Sequence, residues 1–213
     1  MPIHLILYTV TRADGLIIRP FIYLLLSLPC FIIRKYVTIG NFRSYETSYI
    51  YKEDLPMGKI FRFHSDVDTD QIIASQYILF PTIDEMKTYA FESLDPTFAS
   101  RVQPGDFIVA CENFGCGSSR EQAPGVLKAL GVKAVIAKSF ARIFYRNAIN
   151  IGLPVIVCKE LYDQVADQDH MELLMQEGLI RANGQTFTCT KLPDQMQRIL
   201  DQGGLIASLN KED

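Results

Sequence analysis

The sequence lacks the cysteine patterns that mark metal-binding or disulfide-rich proteins. None of its cysteines forms a C-x-x-C pair, and their number is odd: Cys30, Cys111, Cys116, Cys158 and Cys189. Such a set argues against a disulfide framework and against zinc or iron–sulfur ligation by this chain alone. We therefore expect no metal ligands in this chain, and we expect a reducing, cytoplasmic location.

Features of nucleic-acid binding and of a membrane span are also missing. The formal net charge is -3, and no basic stripe with interleaved aromatic residues occurs, so nucleic acid is not an expected partner. The apolar run at residues 16–33 approaches the roughly 20 residues of a membrane helix, but Arg19, Pro20 and Pro29 interrupt it. No small-residue cleavage site follows the run, as a signal peptide would require. We therefore do not expect a membrane protein.

Residues 1–56 differ from the remainder of the chain. They carry six Lys and Arg against four Asp and Glu, whereas residues 57–213 carry 15 against 20. Met57 begins a stretch that resembles an ordinary N-terminus entering a first strand. We predict one domain at residues 57–213 and interpret residues 1–56 as an apolar extension upstream of the true start. A membrane anchor and an ordered extension are the alternatives, and N-terminal sequencing of the natural protein would decide between them.

The pattern from Met57 onward predicts an α/β domain. Strand-like apolar runs alternate with helix-like segments at 106–111, 125–130, 133–137, 140–149 and 153–158. Two strand–helix–strand units in succession predict a parallel sheet with right-handed crossovers. Ser139 is predicted to cap the second of these helices, and Phe140, Ile143, Phe144 and Ala148 to form its buried face. We also predict a loop at 77–82, a helix near 160–165, a hairpin about Asn183-Gly184 and a last helix at 193–202.

The stretch Asn113-Phe114-Gly115-Cys116-Gly117-Ser118-Ser119-Arg120-Glu121-Gln122-Ala123-Pro124 lies at a predicted strand-to-helix turn. Its glycines allow a tight turn, and the first turn of a helix offers free N–H groups that favour anions. Arg120 adds a fork that can clamp a carboxylate or a phosphate. Ser118 and Ser119 also fit S-x-x-E and S-x-x-Q capping boxes, so helix capping is the alternative interpretation.

The segment Asp66-Val67-Asp68-Thr69-Asp70-Gln71 has the spacing of a calcium loop. Gln71 stands where such a loop needs glycine, and Tyr77 where it needs glutamate, so we reject calcium. We predict instead that these aspartates cap a helix or hold a loop, and that Asp70 is the one placed to act in a site.

Three segments together resemble the small subunits of 3-isopropylmalate dehydratases, the two-subunit branch of the aconitase family. They are residues 68–73 (DTDQII), 113–124 (NFGCGSSREQAP) and 139–154 (SFARIFYRNAINIGLP). The resemblance covers the chain from Met57 to its end and omits residues 1–56. It implies an aconitase-type swivelling β/β/α domain and a large-subunit partner that carries a 4Fe-4S cluster. It also implies a hydro-lyase reaction of leucine biosynthesis, in which a 2-hydroxy dicarboxylic acid is dehydrated and then rehydrated at the neighbouring carbon.

Site residues follow from the same resemblance, position by position. Ser118 is implied as the base that removes the C–H proton, and Ser119 and Arg120 as the groups that hold substrate carboxylates. Asp70 matches an active-site aspartate of the family. Cys116 stands where aconitases vary, so we do not treat it as a nucleophile. A serine is a poor base unless its alkoxide is stabilised, which a helix N-terminus and a guanidinium can do.

Substrate choice is expected to depend on Tyr77 and Leu79. In relatives that accept a third carboxylate, an arginine stands where this chain has Leu79. A carboxylate left there without a partner would cost several kcal/mol, on the order of a buried unpaired polar group. We therefore expect a malate with an apolar substituent, isopropylmalate first. The alternatives are dimethylmalate, homoaconitate or another substituted malate, and, outside enzymes, a stand-alone carboxylate-binding module.

Overall fold

The computed structural model describes residues 8–10, 30–39, 42–51 and 57–210. The chain divides into two units, Met1–Leu55 and Pro56–Asp213. In the first unit, three antiparallel strands lie in the order β1-β3-β2: β1 (Tyr8–Val10), β2 (Cys30–Ile39) and β3 (Phe42–Tyr51). Most of the apolar run at 16–33 lies outside the described residues, and our interpretation of residues 1–56 stays a prediction.

The second unit is built on a seven-stranded sheet with the order β10-β9-β8-β4-β5-β6-β7. Its strands are β4 (Gly58–Phe63), β5 (Phe107–Ala110), β6 (Ala134–Ala137), β7 (Val155–Val157), β8 (His170–Leu174), β9 (Leu179–Ala182) and β10 (Gln185–Thr188). The four strands from β4 to β7 pair in parallel, and the remaining pairings are antiparallel. The predicted α/β class with parallel strand–helix units is therefore confirmed.

Short helices connect these strands. The α-helices are α1 (Thr69–Ile72), α2 (Ile83–Met86), α3 (Phe98–Arg101), α4 (Gln122–Ala129), α5 (Arg142–Ile151), α6 (Asp194–Asp201) and α7 (Leu205–Leu209). Three 3-10 helices occupy Ser75–Leu79, Lys87–Tyr89 and Leu161–Gln164. Every residue of β5 and β6 is buried, because helices and loops cover both faces of the sheet. Their sequences are therefore continuous apolar runs without alternation.

The parallel strands β4, β5 and β6 all end at one edge of the sheet, and the loops that follow them are bonded to one another. The amide of Gly115 donates to the carbonyl of Val67 at 2.7 Å, which joins the loops after β4 and β5. The amide of Phe114 donates to the carbonyl of Ser139 at 3.1 Å, which joins the loops after β5 and β6. The three segments that carry the family resemblance thus converge at this edge, where open α/β sheets bind ligands.

Some local predictions were wrong, and for Ser139 the reason is a tertiary contact that replaces the local one. Ser139 does not cap α5; its hydroxyl accepts the amide of Asn113 at 2.8 Å, and the helix begins three residues later at Arg142. On the predicted buried face of that helix, Phe144 and Ala148 are buried but Ile143 is 51% exposed. The predicted loop at 77–82 begins within a 3-10 helix. The helix predicted near 160–165 is present as a 3-10 helix at Leu161–Gln164.

In the second unit, β8 and α7 were not predicted, whereas the hairpin of β9 and β10 about Asn183-Gly184 is confirmed. The prediction that one of the aspartates near the start of α1 caps a helix is confirmed for Asp68. The Asp68 carboxylate accepts the amide of Gln71 at 2.7 Å, and the Gln71 side chain accepts the amide of Asp68 at 3.0 Å. This capping box fixes the first turn of α1 and, with it, the positions of Thr69 and Asp70.

Candidate active site

The glycine loop between β5 and α4 is held tightly against α5. Gly115 has a φ of +77°, which disfavours residues with a Cβ, and a Cβ placed there would lie 2.2 Å from Cγ of the buried Phe144. The loop can follow this path only with glycine at 115. Its course carries Ser118 and Arg120 toward α1, which follows the neighbouring strand.

Ser118 lies against the start of α1. Its backbone amide donates to Oγ1 of Thr69 at 3.1 Å, and its own Oγ is also 3.1 Å from that Oγ1. Neither Ser118 nor Ser119 caps α4, because the helix begins at Gln122 after Glu121 and makes no side-chain capping bond. The capping interpretation of the two serines is therefore wrong.

Arg120 makes a two-point ion pair with Asp70. The distances are 2.6 Å from Nη1 to Oδ1 and 3.0 Å from Nη2 to Oδ2. Ser75 completes the arrangement, since its hydroxyl accepts from Nη2 of Arg120 at 2.9 Å and donates to Oδ1 of Asp70 at 2.7 Å. The hydrogen bond from Arg120, followed by that from Ser75, holds the pKa of Asp70 below its ordinary value. Asp70 is therefore a carboxylate at neutral pH.

We call Thr69, Asp70, Ser75, Ser118 and Arg120 the Ser118 cluster. It joins residues about 50 positions apart in the chain and contains two of the predicted site residues together with Ser118. The cluster provides the Ser118 hydroxyl and, two residues along the chain, the Arg120 guanidinium, whose orientation is fixed by the Asp70 carboxylate. An oriented guanidinium is suited to bind a substrate carboxylate, and a hydroxyl is suited to proton transfer where its alkoxide is stabilised.

The remaining predicted residues lie around this cluster. Ser119 is exposed, and its carbonyl accepts from the side-chain amide of Asn147 on α5 at 3.0 Å. Tyr77 stacks on Tyr89 with ring centroids 4.0 Å apart, and its hydroxyl donates to Glu92, which raises the pKa of Tyr77. Leu79 is 89% exposed. Tyr77 thus supports the 3-10 helix that carries Ser75, while the Leu79 side chain is open to contact from outside.

Cys116 also lies in the glycine loop. Burial, followed by the negative charges of Asp68 and Asp66, raises the pKa of its thiol. A thiol with a raised pKa is a weak nucleophile at neutral pH. The structure therefore agrees with leaving Cys116 out of the chemistry.

Sequence reasoning missed three polar residues that support the site: Thr69, Ser75 and Asn147. Thr69 and Asn147 stand inside the segments that carry the family resemblance, so the motifs themselves could have indicated them. Ser75 lies outside those segments, and no local pattern singles it out. Ser75 contacts both Asp70 and Arg120 only because α1 packs against the glycine loop, and the sequence alone does not show this packing.

Two cavities of about 360 and 370 Å³ lie on the domain outside the Ser118 cluster, lined by Phe61–His64 with Tyr162 and by Lys138–Phe140 with Tyr145 respectively. In the part of the chain that the structure describes, no three His, Cys, Asp or Glu side chains are grouped to hold a metal ion. No helix within the described ranges has the length and apolar character needed to cross a membrane.

Comparison with known proteins agrees with these motifs. The family model of the aconitase C-terminal domain matches residues 63–160. The 3-isopropylmalate dehydratase small subunit 1 of Archaeoglobus fulgidus is 50% identical over 152 residues, which cover 70% of this chain and 94% of that protein. The isopropylmalate/citramalate isomerase small subunit of Methanocaldococcus jannaschii is 45% identical over 157 residues, covering 73% and 94%.

The fold is shared with a solved structure as well. The crystal structure of a 3-isopropylmalate dehydratase from Methanocaldococcus jannaschii superposes with a TM-score of 0.70 at 43% identity. The match covers 73% of this chain and 93% of that one. The match therefore extends over nearly the whole of the solved chain and, in this chain, well beyond the three motif segments.

Proposed function

The chain belongs to the family of 3-isopropylmalate dehydratase small subunits, and from this premise we propose that it is the small subunit of a two-subunit hydro-lyase. The reaction would isomerise 2-isopropylmalate to 3-isopropylmalate in leucine biosynthesis. The observation that supports this most directly is the Ser118 cluster, in which Arg120 pairs with Asp70 and the Ser118 hydroxyl contacts Thr69, the residue before Asp70. Relatives that are 48–50% identical carry this activity in their names.

The reaction removes a proton from one carbon and hydroxide from its neighbour, then adds both back in exchanged positions. Ser118 first passes its hydroxyl proton to solvent, and the resulting alkoxide takes the carbon-bound proton and returns it in the second half of the reaction. Arg120 binds a substrate carboxylate through its remaining N–H groups, and Asp70 keeps the guanidinium in orientation. Ser119, exposed at the next position, donates a second hydrogen bond to a carboxylate. Two hydrogen bonds to the same substrate fix the C–H bond toward Ser118, which is where positioning gains rate.

The partner we propose is a large subunit that carries the 4Fe-4S cluster. The names of the relatives as small subunits support a partner. Asp70 also remains 54% exposed in its side chain although it belongs to the candidate site, as expected if a second surface covers it. The described residues of this chain offer no ligand set that fits an iron–sulfur cluster, so no step above passes through a metal held by it. A cytoplasmic location stays a prediction.

For the substrate, we propose a malate with a small apolar substituent. Leu79 is the residue that supports this, since it offers no positive charge to a third carboxylate. Citramalate is the second candidate, because the Methanocaldococcus jannaschii relative is named for both isopropylmalate and citramalate. Phe80-Pro81 follows Leu79 in place of the usual family sequence, and this difference leaves the exact substituent to experiment.

The test is co-expression with the large subunit, anaerobic cluster reconstitution, and a hydratase assay on 2-isopropylmalate, citramalate and citrate. We expect kcat/KM to be higher for 2-isopropylmalate and citramalate than for citrate. Ser118→Ala should lower kcat by roughly 100-fold or more, since general-base catalysis contributes about 10² to 10⁴. Ser100→Ala serves as the matched control, because Ser100 is an exposed serine on α3 away from the cluster. Full activity of Ser118→Ala, or a preference for citrate, would contradict the proposal.

A further inference from the structure

Thr69 is a buried polar residue at the centre of the candidate site. Only 1% of its surface is exposed, although it opens α1 beside the partly exposed Asp68 and Asp70. Few polar side chains are this deeply buried in the described part of the chain. A buried hydroxyl needs hydrogen-bond partners, because leaving its donor or acceptor unmade costs free energy.

The hydrogen bonds that Thr69 makes to the glycine loop all involve Cys116 or Ser118. Its amide donates to the carbonyl of Cys116 at 2.9 Å, and its Oγ1 accepts the amide of Ser118 at 3.1 Å. The same Oγ1 lies 3.1 Å from Oγ of Ser118. Thr69 therefore fixes the Ser118 backbone and contacts the Ser118 hydroxyl directly.

The direction of the bond between the two hydroxyls follows from the acceptors available. Oγ1 of Thr69 already accepts the Ser118 amide, and the acceptor that the structure places near its own hydrogen is Oγ of Ser118. If Ser118 donated instead, the Thr69 hydrogen would be buried without a partner, which is unfavourable. The lower-energy arrangement has Thr69 donating, which leaves the Ser118 hydrogen free to point toward the solvent side.

We propose that Thr69 is the positioning residue of Ser118. Its hydroxyl donates to Ser118 Oγ, holds that oxygen in one rotamer, and supports the negative charge of the alkoxide that forms when Ser118 passes its hydroxyl proton to solvent, before the alkoxide accepts the carbon-bound proton. This inference rests on the proposed role of Ser118 as base. Hydrogen bonds to charged groups are about twice as strong as neutral ones, so the contact stabilises the alkoxide more than the neutral hydroxyl.

The test uses Thr69→Val and Thr69→Ser in the subunit pair reconstituted with its cluster. Valine keeps the shape of threonine but removes both the donor and the acceptor. We expect kcat on 2-isopropylmalate to fall roughly 10- to 100-fold, the range of one charge-assisted hydrogen bond. The KM should change by no more than about twofold, because a group that acts only on the transition state affects kcat. Thr69→Ser keeps the hydroxyl and should restore most of the activity.

A purely structural role predicts another pattern. If Thr69 only holds the loop in place, its replacement would move Ser119 and Arg120 and raise KM. Thr69→Ser and Thr69→Val would then have similar effects, and that result would overturn the proposal. Thr82→Val is the matched control, since Thr82 is a helix-capping threonine on α2 whose Oγ1 accepts the Glu85 amide at 3.3 Å. It should lose stability without losing kcat.

Amide hydrogen exchange of the isolated chain gives a readout that needs no activity. The Ser118 amide should exchange faster in Thr69→Val than in the wild type or in Thr69→Ser, and equal rates would overturn the hydrogen bonds on which the inference depends. A wild-type pair inactive on every substituted malate would refute the proposed function, and the role of Thr69 in proton transfer with it. The two failures are therefore distinguishable.

Discussion

Replacing Asp70 by asparagine should separate what the ion pair does for the fold from what it does for the reaction. The pair is partly exposed, with side-chain exposures of 19% for Arg120 and 54% for Asp70. Solvent screening limits such a pair to about 0.2–1 kcal/mol, and its two-point geometry favours the upper part of that range. We expect Asp70→Asn to destabilise the domain by about 1 kcal/mol.

The effect on the reaction should be larger than the effect on stability. Without the carboxylate, Arg120 keeps Ser75 at 2.9 Å and the carbonyl of Ile73 at 3.4 Å, neither of which carries a charge. A misplacement of about 1 Å in a positioning group can cost about 100-fold in rate. We expect kcat/KM on 2-isopropylmalate to fall roughly 10- to 100-fold, although most of the protein remains folded.

The stability effect should depend on pH with a definite sign. The pKa of Asp70 is lowered below its ordinary 3.8 in the folded chain, so folding is favoured by the ionised form. The contribution is complete above the unfolded pKa and is lost as the pH falls through the lower folded pKa. The stability difference between wild type and Asp70→Asn should therefore be present at pH 7 and shrink as the pH drops below 3.8.

The assays are urea unfolding across this pH range and steady-state kinetics of the reconstituted pair. Asp163→Asn is the matched control, because Lys138 and Asp163 pair at 2.7 Å with similar exposures of 21% and 57%. It should cost similar stability at pH 7 and leave kcat/KM unchanged. The reasoning is wrong if Asp70→Asn keeps kcat/KM within about twofold of wild type. It is also wrong if Asp163→Asn lowers kcat/KM as much as Asp70→Asn does.

Two further predictions concern the glycine loop and the substrate. Gly115→Ala should destabilise the domain by about 2–4 kcal/mol, because the new Cβ would overlap Phe144; urea unfolding should show a smaller loss for Gly184→Ala, where φ is +74° but nothing lies within 4 Å. Leu79→Arg should raise the relative kcat/KM for citrate roughly 10-fold or more by supplying a charge partner, with stability within about 0.5 kcal/mol. Ile206→Arg, at a position 70% exposed, should leave the preference unchanged.

The sequence was sufficient where the signal was local. The buried strands β5 and β6 are continuous apolar runs, and Asn183-Gly184 specifies its hairpin through a two-residue turn. The strands and the hairpin formed as predicted, because short stretches of adjacent residues carry the signals for them. The motif segments likewise indicated Asp70, Ser118 and Arg120, which the fold brings together.

The predictions failed where a distant partner decides the local structure. Ser139 is a good capping residue by type, but the amide of Asn113, 26 positions away, occupies its hydroxyl. β8 carries the buried Glu172 among apolar residues and forms strand only by pairing with β4 and β9. Thr69 looks like an ordinary helix-start residue until Ser118, 49 positions away, is packed against it. No periodicity within a short window contains such contacts.

The charges of the Ser118 cluster support our proposal that a partner subunit completes the site. A substituted malate carries two carboxylates at neutral pH, and the cluster contains one cation, Arg120, whose charge is already matched by Asp70. If a dianionic substrate bound against this neutral ion pair, most of its negative charge would have no positive partner. The electrostatic free-energy cost of that charge grows as water is excluded from the site. Ser119 and the loop amides can share part of this charge as hydrogen-bond donors, but they add no positive charge. The remaining compensation must come from groups facing the cluster from outside, which is the position we propose for the large subunit.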